Sequence, residues 1–395
     1  MSESMENSGD LASVPCNVCL EQALVEFPVY RTFHRVTSDC RPWPAGGRML
    51  MCSRCGCVQK VADAKFRSEC DEIYNSYTPY YQAKGGAEQA VFDTTSGESS
   101  PRSRRVLERL AKEFGLAATG RMLDVGSGNG AMIRAFSQMA AGWSLAGSDL
   151  TDRYRDSIQA IPRVERLYTC PLEEIPGTFN LITMSHVLEH VIEPRGFLAL
   201  LKAKLAPGGL LLAQLPSYQH NPFELMVADH ASHFSADTAR DLLQRAGYEV
   251  PASVEGWVPK ELSVVARVAT SPNADRPTSL ARNVEEVKSF VASRLKWLAQ
   301  AVETARAGGG RIGLFGTSIA ATWLLAELGE TVAFFVDEDV NRTEANWNGR
   351  PVYRPADVPA GSRVFVGLAP VLAESVCRRL AGHGVTYVPP VPLPA

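Results

Sequence analysis

The stretch Leu123-Asp-Val-Gly-Ser-Gly-Asn-Gly130 constrains this chain more tightly than any other. An apolar strand ending, Arg121-Met-Leu-Asp-Val, runs into alternate glycines at Gly126, Gly128 and Gly130, and the following Ala131-Met-Ile-Arg-Ala-Phe-Ser-Gln-Met has helical spacing. Strand, glycine turn and helix make the first unit of a doubly wound α/β sheet, where ligands sit outside the carboxyl ends of the strands. Glycine suits this turn because it adopts backbone angles that a side chain forbids and lets a ligand approach the main chain.

Spacing and neighbouring acids narrow the ligand. A dinucleotide fingerprint reads G-x-G-x-x-G and aims a helix N-terminus at a pyrophosphate. Here the glycines read G-x-G-x-G, and Asp124 precedes the first of them by two residues. An acid there would repel a pyrophosphate but suits a cationic amino-acid ligand. A second apolar strand, Trp143-Ser-Leu-Ala-Gly-Ser, leads to Asp149, placed to take ribose hydroxyls. These residues resemble motif I and the ribose-binding acid of the class I S-adenosylmethionine (SAM) methyltransferases. The later Val187-Leu-Glu-His-Val and Leu205-Ala-Pro-Gly-Gly stretches are similar to further motifs of that family. The resemblance implies cofactor contacts at Asp124, Gly126, Ser127, Gly128, Gly130, Asp149 and Leu150. It adds Leu172 and Glu173 near the adenine, and Ser185 and His186 where an apolar strand, Phe179-Asn-Leu-Ile-Thr-Met-Ser, reaches the same crevice.

The cysteines mark a second feature. Pro15-Cys16-Asn-Val-Cys19 and Met51-Cys52-Ser-Arg-Cys55-Gly56 are two C-x-x-C pairs, and two such pairs can wrap a tetrahedral zinc with two corners each. In a reducing compartment such pairs bind metal more often than they form disulfides. Gly56 follows the second pair, where a tight turn directs amides towards the sulfurs. With Cys16, Cys19, Cys52 and Cys55 filling every corner, this zinc would be structural and take no part in chemistry at the substrate. Cys57 is a spare or substitute ligand; Cys40 and Cys70 lack partner spacing.

At 395 residues the chain suits two or three domains, and its formal charge of −3 argues against a nucleic-acid binder held by phosphate contacts. No apolar run approaches the roughly 18–20 residues of a membrane span. The acidic, polar start is the reverse of a signal peptide, so a soluble, cytoplasmic monomer or homodimer is expected.

Taken in order, residues 1–14 read as a disordered tail and 15–92 as the zinc-binding module. Tyr74, Tyr77, Tyr80 and Tyr81 either line a substrate mouth or form a packing seam. A Ser/Gly-rich joint follows, Thr94 to Pro101, and an amphipathic helix, Arg102 to Phe114, enters the SAM-binding unit at 101–269. His186 and His190 stand at i and i+4, where one helix face could present both; with Glu189 they either anchor a loop or transfer protons. Ser235 is a natural N-cap for a helix running to Ala246. Residues 270–283 read as a linker, followed by a long helix from Val284 to about Ala307. Then Arg311-Ile-Gly-Leu-Phe-Gly-Thr-Ser restarts strand, glycine turn and helix, with a second strand ending at Asp337. Its G-x-x-G spacing disfavours independent dinucleotide binding. The prolines from Pro389 onward read as an extended tail.

The segment Tyr218-Gln-His-Asn-Pro-Phe-Glu-Leu-Met-Val-Ala-Asp-His-Ala-Ser-His-Phe-Ser235 is similar to the sugar C-methyltransferases. That family combines an N-terminal cysteine zinc module, a central SAM domain and a C-terminal Rossmann-like domain. Asp229 and His230 match its acid–histidine pair, and Ser232, Phe234 and Ser235 match the tail. Val227 and His233 stand where the family has tyrosines, and Tyr77 is nearest to its upstream tyrosine. The resemblance implies an α/β fold with two Rossmann-like units and a zinc module. It implies methyl transfer to carbon or oxygen of a small molecule, a nucleotide-linked sugar, with Asp229 and His230 removing the proton. Thr317, Ser318 and Asp337 are candidate contacts to that sugar nucleotide. The alternatives are O- or N-methylation of another natural-product intermediate, or a SAM-binding protein without turnover.

Overall fold

The computed structural model describes residues 13–77, 88, 90–92, 99–270, 284–339, 342–343, 346–382 and 384–393. Tyr80, Tyr81, Pro394 and most of the expected tail, joint and linker lie outside the described residues.

Three short antiparallel strands, β1 (Leu24–Glu26), β2 (Met49–Cys52) and β3 (Val58–Lys60), begin the chain. Helix α1 (Ala64–Asn75) follows, and the Asp63 side chain accepts from the Phe66 amide to close its first turn. Helix α2 (Arg102–Phe114) buries Val106, Leu107 and Leu110 on one face, as its spacing requires.

The central sheet is built from β4 (Gly120–Val125), α3 (Ala131–Met139), β5 (Trp143–Ser148), α4 (Arg155–Gln159), β6 (Val164–Tyr168), β7 (Phe179–Ser185), α5 (Pro194–Lys204) and β8 (Leu205–Pro216). After β9 (Ser232–His233) and α6 (Ala236–Arg245) come β10 (Tyr248–Glu255) and β11 (Glu261–Val268). The order across the sheet is β6-β5-β4-β7-β8-β11-β10. Strands β4 to β8 run parallel, while β11 is antiparallel to both β8 and β10. A dinucleotide-binding sheet keeps its last strands parallel in the order 3-2-1-4-5-6, so the reversed β11 sets this sheet apart. Ser235 caps α6 through a reciprocal pair of bonds with Thr238, as its position predicts.

The last unit holds α7 (Val284–Arg306), β12 (Ile312–Phe315), α8 (Ile319–Leu328), β13 (Val332–Val336), β14 (Asn346–Trp347), β15 (Arg350–Tyr353), β16 (Arg363–Phe365), α9 (Pro370–Arg379) and β17 (Thr386–Val388). Its sheet order is β14-β15-β13-β12-β16-β17, parallel apart from the edge strand β14. The proline-rich end packs back onto α7, where Trp297 donates its indole N–H to the Val391 carbonyl at 2.7 Å.

Two features tie these units together. Tyr30, Met49, Met51 and Val58 of the N-terminal region share one apolar core with Trp297 and Leu298 of α7 and Trp323 of α8. Strand β9, which lies between β8 and α6 in the chain, leaves the central sheet and pairs with β3, Ser232 opposite Gln59 and His233 opposite Val58. Among the described residues, no helix is long and apolar enough to cross a membrane.

Candidate active site

Strand β4 lies between β5 and β7, so connections diverge to either side of its carboxyl end and open a crevice there. Gly126, Gly128 and Gly130 all take left-handed angles, with φ of 70°, 48° and 80°. A Cβ at Gly126 would come within 2.4 Å of Val187, and one at Gly130 within 2.9 Å of Ile158. At Gly128 a Cβ would meet nothing within 4 Å. The outer two glycines are required by packing, while the middle one faces open space. The Gly126 and Ser127 amides donate to the Ser148 carbonyl at 2.8 and 3.1 Å, pinning the turn to β5.

Asp149 continues from β5. Its Oδ2 accepts from the Gly128 amide at 2.8 Å and its Oδ1 from the Thr151 amide at 3.2 Å, leaving lone pairs on each oxygen for a diol. Asp124 is 3% exposed; burial pushes its carboxyl up to about 7, against a 2.6 Å bond donated by Thr183. The hydroxyls of Ser127 and Ser185 are buried and have no hydrogen-bond partner among the described residues, a role a polar ligand would fill. Leu150 is exposed, and Leu172 and Glu173 lie on a short 3-10 turn, Leu172–Glu174. Open space at Gly128, an acid with spare lone pairs and orphaned hydroxyls fit the SAM expected here. Asp149→Ala should weaken S-adenosylhomocysteine binding roughly 10- to 100-fold, the worth of charged hydrogen bonds, measurable by calorimetry. Unchanged affinity would remove the ribose role.

Beyond β7 the chain does not enter a helix directly. His186 takes φ of 54°, and a 3-10 turn, Leu188–His190, replaces the expected helical face. His186 and His190 therefore face different partners. His186 Nε2 meets Arg102 at 2.8 Å and Glu261 at 3.2 Å. Burial lowers the His186 pKa, but the Glu261 charge together with short polar contacts to Glu189 and Glu261 carries it up to about 9. His190 Nδ1 meets Tyr74 Oη at 2.9 Å and an Asp229 carboxylate oxygen at 3.4 Å. Glu189 is 1% exposed, and among the described residues neither carboxylate oxygen has an aligned hydrogen bond, although His186 Nδ1 lies 3.2 Å from Oε1.

The segment between β8 and α6 delivers the remaining groups. A 3-10 turn, Pro222–Met226, buries Glu224, whose carboxylate holds His230 Nδ1. Asp229 is not the partner of His230. It is fully buried, accepting from the Ser38 amide at 2.8 Å and the Ser38 hydroxyl at 2.5 Å while facing His190. The rings of His190 and His230 meet edge-on, 4.5 Å apart. His233 is buried on β9, its Nε2 3.0 Å from Lys60 Nζ and its Nδ1 3.6 Å from Glu224.

Charge in this cluster is settled by burial against pairing. Burial alone would raise Glu224, but His230 and His233 pull it down to about 2. Burial is likewise outweighed at Asp229, which His190 holds well below the usual carboxylate range. Burial and the nearby Lys60 drive His233 down to about 3, so it is neutral. Tyr77 meets Tyr74 at a tilt of 59° with ring centres 6.0 Å apart, and both pack with Trp43, Ile73 and Ala228. Val227 is buried. Sequence reasoning missed Glu224, Lys60 and Ser38. A charged residue inside the apolar run Phe223-Glu-Leu-Met-Val was the available signal for the first.

The Sγ atoms of Cys16, Cys19, Cys52 and Cys55 lie within 4.8 Å of one another, with Cys16–Cys55 at 3.4 Å and Cys19–Cys52 at 3.5 Å. Sulfurs around a tetrahedral zinc stand roughly 3.8 Å apart, so the four fit such an ion. Amides of Val18 and Arg54 point at the sulfurs of Cys16 and Cys52, and Gly56 makes the turn with φ of 74°. Cys57 instead turns its thiol to the Val58 carbonyl, and Cys40 and Cys70 lie outside the cluster. Asn17, between the first two cysteines, donates from Nδ2 to the Ser232 hydroxyl at 2.8 Å.

In the C-terminal unit, Thr317 donates to Asp337 at 2.7 Å, and Arg342 donates to the Thr317 carbonyl at 3.2 Å. Ser318 precedes α8 without a side-chain capping bond. None of the three is brought to the histidine cluster by a described contact.

The sheet order, the reversed strand and the G-x-G-x-G turn with its two acids are the arrangement that the resemblance to class I SAM-dependent methyltransferases implies. Residues 99–253 match the family model described as a methyltransferase domain, so the chain carries a methyltransferase domain and is an enzyme. No curated protein matches the sequence. Among solved structures, a SAM-dependent methyltransferase from Aquifex aeolicus is similar at 23% identity and a TM-score of 0.36, covering 42% of this chain and 93% of that one. The glycopeptide N-methyltransferase MtfA is 17% identical with a TM-score of 0.35, over 43% and 91% of the two chains. A methyltransferase in complex with the Haloferax volcanii Trm112 activator is 14% identical with a TM-score of 0.35, over 42% and 91%.

Proposed function

We propose that this enzyme methylates a carbon next to a carbonyl in a nucleotide-linked sugar, with His230 as the base and zinc holding the cysteine cluster. The observation that carries this reading is the Glu224–His230 pair: a buried carboxylate on Nδ1 fixes the tautomer that leaves the Nε2 lone pair free to take a proton. SAM, held by Asp124, Asp149 and the glycine turn, supplies an electrophilic methyl. His230 Nε2 takes the proton from the nucleophile, and Glu224 balances the charge that forms on the ring. His190, steadied by Asp229 and Tyr74, stands edge-on to the base, where its N–H can hold a developing enolate oxygen. Trp43, Tyr74 and Tyr77 offer flat faces for a sugar ring, and the buried Trp43 indole N–H has no hydrogen-bond partner among the described residues.

The cysteine cluster is read as structural because each thiol has its place in a closed set of four and the Asn17 side chain between them reaches β9. The C-terminal unit is read as the outer wall of the substrate crevice.

The test uses SAM carrying a deuterated methyl group, nucleotide-linked sugars including 4-keto forms, and mass spectrometry. Label on a ring carbon is the expected result. Label on oxygen would keep His230 as a hydroxyl base and remove the enolate role of His190. Binding of S-adenosylhomocysteine without transfer to any sugar would overturn the nucleotide-sugar reading.

A further inference from the structure

Methyl transfer from a sulfonium to C–H, O–H or N–H always releases one proton, and that proton must leave a base whose open side is covered by substrate. The reading of His230 as base leaves His233 and Lys60, both buried and titratable, without a role, and contacts through Glu224 link them to it. His230 Nδ1 is held by Glu224. The same Glu224 oxygen lies 3.6 Å from His233 Nδ1, an atom with no aligned hydrogen bond. His233 Nε2 is 3.0 Å from Lys60 Nζ, which also donates to Tyr30 Oη at 2.7 Å and to the Leu225 carbonyl at 2.9 Å. Lys60 also lines a cavity of about 30 Å³, together with Arg35, Asp63, Lys65 and Glu69. That volume holds a water molecule, and the walls are polar enough to bind one. Lys65, 58% exposed, brings the cavity to the surface.

We propose that Glu224, His233 and Lys60 form a proton exit that runs from the back of His230 through the N-terminal module to the cavity at Lys65. It rests on the assignment of His230 as base. The substrate proton goes to His230 Nε2, and the Nδ1 proton moves to Glu224. Glu224 protonates His233 Nδ1 as His233 Nε2 gives its proton to Lys60, which passes it to water in the cavity. No electron pair is gained or lost along the chain, and one proton enters the solvent per methyl transferred.

The charges facing Lys60 suit this task. Burial pushes the amine well below its usual range and the neighbouring Arg35 guanidinium adds to the effect, while Glu224 and Asp229 oppose it. An amine held down in this way gives its proton to water more readily than an ordinary lysine and regains one from His233. Strand pairing makes the exit continuous, since β3 carries Lys60 and β9 carries His233. Lys60 and His233 thus act through Glu224 and His230 and touch no substrate.

The experiment follows exchange of the sugar's acidic hydrogen. The enzyme is incubated in deuterium oxide with S-adenosylhomocysteine and a nucleotide-linked 4-keto sugar, and deuterium at the ring carbon is read by NMR. The wild type should exchange. Lys60→Met should slow exchange at least tenfold, because the proton returns to the carbon, with KM for the sugar and S-adenosylhomocysteine affinity unchanged. Methylamine should restore the rate in Lys60→Ala, whose shortened side chain enlarges the cavity. His233→Gln should slow exchange likewise, which guards against a Lys60 variant that fails to fold. Exchange at the wild-type rate in these variants overturns the exit and leaves His230 as base. Absence of exchange in the wild type overturns both.

Discussion

His230→Ala should lower kcat by about 10²–10⁴-fold, the usual worth of a positioned general base, and leave S-adenosylhomocysteine affinity unaltered. The separation is structural. The cofactor crevice is made from the ends of β4, β5 and β7, whereas His230 arrives on the segment between β8 and α6. Glu224→Gln should give a smaller loss, because the amide still meets the ring but no longer balances its charge. A His230→Ala enzyme with wild-type turnover would make this histidine a packing residue and send the search for a base to His190.

The second large effect concerns the cysteines. Removing metal with a strong chelator, or replacing Cys16 and Cys52 together by serine, should abolish turnover while the central sheet keeps its cofactor affinity. A structural zinc contributes roughly 10–16 kcal/mol to the fold around it. In the proposed reading, the part of the fold that zinc would hold reaches the strand that carries His233. Asn17 sits inside the first cysteine pair and bonds both Gln59 on β3, at 2.8 Å from its amide, and Ser232 on β9. Ser232 stands next to His233 and two residues from His230, so a loosened knuckle frees the strand that positions both histidines. Zinc content, turnover and S-adenosylhomocysteine binding measured on the same sample decide the matter. Full activity in a metal-free protein would make the cluster four reduced thiols and nothing more.

These two effects also show where the sequence was readable. The glycine turn and the paired cysteines are local devices: their chemistry demands particular residues a few positions apart, so spacing alone discloses them. The helices from Arg102 and Ala236 were legible for the same reason, through an apolar stripe in one and a capping serine in the other. The wiring of the histidines was not local. Asp229 adjoins His230 in the chain, yet its carboxylate is claimed by Ser38, 191 residues away, while the partner of His230 is Glu224 on the preceding turn. His186 and His190 have helical spacing, but a left-handed His186 turns them apart. Lys60 and His233 meet across 173 residues, a distance at which no periodicity carries information. The sharing of one core by the N-terminal sheet and α7 was hidden for the same reason.

The pairing of β3 with β9 bears on how the chain is made as well as on how it works. During synthesis β3 leaves the ribosome long before Ser232 exists, and at about 5–20 residues per second the gap is on the order of ten seconds or more. For that interval β3 is an open sheet edge, the kind of surface that recruits stray strands. Lys60, which later becomes a buried residue of the finished enzyme, is then an exposed charge on that edge and discourages mispairing. Constructing the active site thus consumes the gatekeeper: the last strand to arrive buries the lysine that kept its place vacant.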